Sequence, residues 1–189
     1  MPPLKHQALT KRYTYLSTVV QTDVLVALPS LNSKKQPTHK FIGIWDTGAT
    51  NTMITKSVVM ALGLHPIDIQ KVLTAAGEHD ANRYLIDIFL PSRVVIEDVS
   101  VLECILTPGS DILIGMDIIS LGDFAITNAK GKTTMSFRTP SIKEIDFIPE
   151  SNKHNLKMNR LALQHTSRAK IHAKRRQERK NKKTSKKHH

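Results

Sequence analysis

The run Phe41-Ile42-Gly43-Ile44-Trp45 leads straight into Asp46-Thr47-Gly48-Ala49-Thr50, and no other stretch constrains the fold as tightly. Five residues without a charge read as a strand inside a sheet. The carboxylate of Asp46 is therefore delivered by an apolar strand into a tight Thr-Gly turn. Gly48 allows the backbone of that turn to approach another group closely. The Asp-Thr-Gly triplet occurs once in the chain.

Strand signals dominate the first 150 residues. Leu16–Leu28 is rich in Val, Leu and Thr and stops at Pro29, which cannot donate to a ladder. The polar, Pro-bearing stretch 30–39 reads as a hairpin loop. Thr55–Leu62 reads as a short helix, with Thr55 as its N-cap and Gly63 as its C-cap. Thr74–Asn82 is polar with a central Gly77, and reads as a mobile hairpin tip between two apolar segments. Arg83–Leu90 and Arg93–Leu106 alternate as a strand pair around Pro91-Ser92. Ile112-Leu113-Ile114-Gly115 reads as a short buried strand, and Met116–Leu121 as a turn or two of helix. Asp123–Asn128 and Thr133–Arg138 make a last hairpin. The class is mostly β, one domain over residues 1–150 with its core at about 10–140, and a separate tail from 151 to 189.

Charge separates those two parts. Residues 151–189 hold 14 of the 28 Lys and Arg but only one acid, Glu178. The first 150 residues then carry 14 basic against 15 acidic side chains, so the net charge of +12 belongs to the tail. Asn155–Leu163 reads as a helical turn or two, and the run beyond it as a solvated, disordered polycation. Residues 169–187 have the charge to hold nucleic acid without sequence readout, by counterion release. Residues 151–189 contain no aromatic side chain, so base stacking is not available. The single cysteine, Cys104, excludes an internal disulfide and reads as a buried thiol. The nine His lack metal-ligand spacing. No signal peptide or membrane span is read, and the expected setting is a reducing cytoplasm.

Asp46-Thr-Gly-Ala, a Gly-bearing hairpin about thirty residues on, and Ile112-Leu-Ile-Gly115 with a helix behind it follow one another at the spacing found in retropepsins. Over roughly residues 10–140 the chain resembles these retroviral-type aspartic proteases, most of all their cellular and bacterial relatives. The resemblance implies an acid-protease β-barrel with one or two short helices. It implies a peptide hydrolase that needs neither metal nor cofactor. It makes Asp46 the catalytic carboxylate, and Thr47, Gly48 and Ala49 the support of its loop. Ile112, Leu113, Ile114 and Gly115 become the brace beneath that loop. Ala76, Gly77 and Glu78 become the tip of a flap over an extended peptide.

That chemistry uses two carboxylates sharing one proton, which favours activity on the acid side of neutral. One triplet per chain then implies a homodimer, with Asp46 supplied by each subunit. Many viral relatives pair an Asp after the DTGA with an Arg after the apolar-Gly element. Here those positions are Thr50 and Met116, so both charges are absent together. Viral relatives also interleave terminal strands, for which residues 11–28 and 133–148 are the candidates. Asp117 reads as a brace of the helix start. The rival reading is a non-catalytic retropepsin-like dimerisation or peptide-binding module with a nucleic-acid-binding tail. The intact Asp-Thr-Gly favours the enzyme, because a module without catalysis has no chemical reason to keep Asp46.

Overall fold

Alternation of apolar and polar residues builds most of the strands. In Gln21–Ala27 (β2), Thr22, Val24 and Val26 point inward while Gln21, Asp23 and Leu25 face out, the period-2 pattern of a half-buried strand. The computed structural model describes residues 5–29, 37–74 and 77–185. They divide between two compact units, Met1–Lys143 and Glu144–His189. The first holds β1 (Gln7–Arg12), β2, β3 (His39–Trp45), β4 (Met53–Thr55), α1 (Lys56–Leu62), β5 (Asp68–Thr74) and β6 (Gly77–Leu90). It continues with β7 (Val94–Cys104), β8 (Ile112–Ile114), α2 (Met116–Ile119), β9 (Asp123–Thr127) and β10 (Thr134–Thr139).

Seven strands run in the order β2-β3-β8-β4-β7-β6-β5, and a further β2–β6 pairing closes six of them into a barrel. β5 hangs outside the ring as the second arm of a hairpin with β6. Val24, Val26, Ile54, Ile86, Ile88, Val101, Ile112 and Ile114 fill the interior and have no accessible surface. Removing one such side chain from water is worth about 1.5–3 kcal/mol. The remaining strands form a sheet in the order β1-β10-β9. Its Phe124 stacks on Trp45 at 5.4 Å, and its Phe137 lies 5.1 Å from the same ring.

Several expectations shift. The strand expected from Leu16 starts only at Gln21. Residues 13–19 instead form a loop whose backbone bonds to Thr133. Gln7–Arg12 is an additional strand, and it pairs along its whole length with β10. Residues 77–82 of the expected hairpin tip are paired strand, because each opposes a residue of β5. Loop residues 30–36 lie outside the described residues. Gly63 ends α1 in the left-handed region at φ 60°, but Thr55 does not cap that helix with its side chain. Its hydroxyl bonds Ser57 at 2.7 Å instead.

The second unit contains α3 (Ile148–Ser185), one helix of 38 residues rather than a turn or two. From Glu150 to Ser185 there is neither Gly nor Pro, and Lys, Arg, Leu, Ala, Gln and Glu all favour helix. Its described side chains are exposed.

Asp123 ties β9 to β10 and to the segment beyond. It accepts from Arg138 Nε at 3.0 Å, Ser141 Oγ at 2.6 Å and the Ile142 amide at 3.1 Å. The Ser141 hydroxyl, then the Arg138 guanidinium and the Ile142 amide, hold its carboxyl well below the usual carboxylate range. A depressed folded value means the contribution is complete above the ordinary Asp range, near pH 4, and is lost as pH falls toward the folded value. Thermal melts taken from pH 6 down to pH 2 are expected to show a smaller acid-induced decline in Asp123→Asn than in the parent. Identical acid slopes would remove Asp123 from the account.

Candidate active site

Asp46 is the first residue beyond β3, and its neighbour Trp45 is anchored on both sides. The Trp45 indole donates to Thr22 Oγ1 at 3.0 Å, and its ring packs on Phe124 and Phe137. β3 and β8 run parallel with Trp45 opposite Ile114, and the Asp46 amide donates to the Ile114 carbonyl at 2.9 Å. The turn folds back on the carboxylate. Gly48 N–H donates to Asp46 Oδ1 at 2.8 Å, and Ala49 N–H to the Asp46 carbonyl at 3.3 Å. Asp46 and Ala49 are half-buried, whereas Thr47 and Gly48 are exposed.

A clamp from β8 and α2 fixes the outgoing arm of this loop. The amides of Met116 and Asp117 donate to the carbonyls of Ala49 and Thr50 at 2.8 and 3.1 Å. Asp117 accepts from the Thr52 amide at 2.8 Å, the Thr52 hydroxyl at 2.7 Å and the Ile118 amide at 2.9 Å. Thr52 Oγ1 in turn accepts the Gly115 amide at 3.1 Å. Ile112 and Ile114 are fully buried beneath the loop and Leu113 is half-buried. A second carboxylate flanks the same strand. Asp111 Oδ2 accepts the Ile42 amide at 2.9 Å and so ties β8 to β3.

Thr52 and Asp111 escaped the sequence reading. The available signal was a hydroxyl and a carboxylate embedded in apolar stretches, where a buried polar group needs a partner.

A cavity of about 320 Å³ opens beside the loop, lined by Gly48–Asn51 and Met53 on one side and by Gln70, Lys71 and Val72 of β5 on the other. The β5–β6 hairpin therefore borders the Asp46 loop through the middle of β5. Gly77 and Glu78 lie at the start of β6 and do not line this cavity. Glu78 faces Lys71 at 3.8 Å. Ala76 lies outside the described residues.

A larger cavity, about 410 Å³, is bordered by Lys56, Ile69, Asn82, Glu103 and Cys104. It shares no residue with the Asp46 loop. Asn82 and Tyr84 donate to the Glu103 carboxylate at 3.0 and 2.7 Å and hold it below its ordinary range. Burial, and then the Glu103 charge, push the Cys104 thiol up to about 11. A thiol protonated at neutral pH is a poor nucleophile, so chemistry rather than size directs attention to the smaller cavity. Among the described residues no three His, Cys, Asp or Glu gather into a metal-binding group. Among them, too, no helix is long and apolar enough to cross a membrane.

Residues 31–118 match the aspartyl protease family, which supports a protease function in general. No curated protein matches the chain. Among solved structures it is similar to a retropepsin-like aspartic protease from Rickettsia conorii, at 17% identity and a TM-score of 0.46, covering 74% of this chain and 98% of that one. It is also similar to the simian foamy virus (mac) protease, at 19% identity and a TM-score of 0.36, covering 52% of this chain and 89% of that one. The single Asp-Thr-Gly loop, the strand β3 that delivers it and the strand β8 beside it all fall within the segment that matches the aspartyl protease family.

Proposed function

We propose that the protein is an aspartic endopeptidase whose reactive centre is assembled from the Asp46 residues of two chains. The observation that carries this reading is an Asp46 carboxylate held at the end of β3 by the Gly48 amide, in a loop whose residues Gly48–Asn51 line a cleft. One ionised carboxylate removes a proton from a water between the pair. The other, protonated, donates to the scissile carbonyl as the tetrahedral gem-diol forms. Thr47 is assigned to bonds across to the partner loop, Gly48 to close approach of the peptide, and Ala49 to a shallow floor. Ile112–Gly115 is assigned to holding the loop in register. Cleft-facing β5 and the hairpin tip at Ala76, Gly77 and Glu78 are assigned to covering an extended peptide and excluding water. A reducing, cytoplasmic setting suits the single thiol.

The two-chain requirement has a direct kinetic consequence. Specific activity on an unfolded polypeptide is expected to rise with enzyme concentration through the range where sedimentation shows monomers pairing, and then to level off. Constant specific activity from a species that sediments only as a monomer would end the reading.

A further inference from the structure

We infer that the loop Tyr15–Val19 is the surface through which one subunit meets a second copy of itself. This rests on the two-chain reading above. The loop is firmly held yet turns its apolar side chains outward. Its backbone is bonded to Thr133, through Thr133 N–H to the Tyr15 carbonyl at 3.0 Å and Ser17 N–H to Thr133 Oγ1 at 2.9 Å. Ser17 Oγ closes a local turn on the Val19 carbonyl at 2.6 Å. Tyr15 and Leu16 are nevertheless 60% exposed and Val19 45% exposed. Tyr15 meets the Tyr13 ring edge-on at 5.8 Å, and apolar side chains left exposed together on one ordered loop mark an interaction surface.

Its position says what covers it. The Val20 carbonyl, next to the patch, accepts the Trp45 amide at 2.9 Å, one residue before Asp46. Met116, 37% exposed, joins the far end of the same segment, its amide donating to the Ala49 carbonyl. Apolar surface thus flanks the loop whose carboxylate lacks its counterpart, and a second copy supplies both the cover and the missing Asp46. Exposed Thr47, Gly48 and Thr50 give this centre a polar rim.

Strand pairing offers the partner less. β10 already has β1 on one edge and β9 on the other, so within the candidate range 133–148 the stretch Thr134–Thr139 has no free edge for a partner strand. The outer edge of β1 presents Lys11 and Arg12, and such charges oppose edge-to-edge pairing.

The test uses the full chain carrying Leu16→Asp, Val19→Asp, or both, examined by sedimentation velocity with thermal melting as a control. Because these side chains are exposed in the single subunit, melting of the monomer is expected to match the parent. Each change is expected to weaken pairing by about tenfold or more. Specific activity should fall with the dimer fraction and recover at higher protein concentration. Leu16→Ser serves as the milder variant should an aspartate disturb folding, with the same direction expected. A double variant that pairs as the parent does overturns this surface while leaving the two-chain reading intact. A parent that never pairs overturns both.

Discussion

Asp46→Asn is expected to abolish peptide cleavage while leaving the fold and the pairing of subunits in place. The substitution removes the ionisable group and little else. An asparagine side-chain oxygen occupies the site of Asp46 Oδ1, so the Gly48 amide keeps its acceptor at the observed 2.8 Å. The backbone bond to Ile114 is untouched. In the proposed dimer the variant would set two amides face to face, which can neither take a proton from water nor hand one to a carbonyl. A loss of about three orders of magnitude or more in kcat/KM is therefore expected, with a melting temperature near that of the parent. Mixing the variant with the parent should lower activity beyond simple dilution, because hybrid dimers hold one acid each. Undiminished cleavage by the pure variant would place the chemistry elsewhere.

Gly115→Ala is expected to damage activity more than stability, although Gly115 touches no substrate in the proposed scheme. Its φ of −91° is ordinary for alanine, so the obstacle is room. A Cβ there would sit 2.6 Å from both the carbonyl carbon and oxygen of Asn51 and 3.0 Å from the Thr52 nitrogen. All three are backbone atoms with no rotamer to yield. The segment 51–52 must move, and with it the bonds from Thr52 to Gly115 and Asp117. Overpacking of this kind costs about 1–3 kcal/mol, and each weakened buried hydrogen bond about 1 kcal/mol more. Melting is expected to fall by roughly 5 °C or more. A displacement of about 1 Å in a positioned carboxylate lowers the rate on the order of a hundredfold. Activity should be measured well below the melting range, so that the two effects separate. Full activity with an unchanged melt would show that the loop is not clamped as described.

Sequence and structure agree where one physical signal dominates. The apolar runs before Asp46 and around Ile112–Ile114 needed burial, and both became interior strands. Gly63 was legible because a left-handed helix end favours glycine strongly. Other features depend on partners distant in the chain. Gln7–Arg12 carries little apolar patterning of its own and is a strand because β10, more than a hundred residues later, supplies its ladder. Residues 77–82 look like a polar loop and are strand because β5 supplies a ladder partner for each of them, while Gly77–Asp80 stay exposed. Thr52 is a short polar residue among many, and only the fold brings it to Asp117 and Gly115. At the candidate site, then, the carboxylate proposed to react could be read from local pattern, but the hydrogen-bond network around its loop could not.

The double occupancy of β10 by the molecule's own strands has a further meaning. A subunit that completes its sheet alone reaches solution as a finished body, with nothing to unthread when it finds or leaves a twin. Under the proposed two-chain scheme its proteolytic power would then follow how crowded the subunits are, rising with accumulation and falling with dilution.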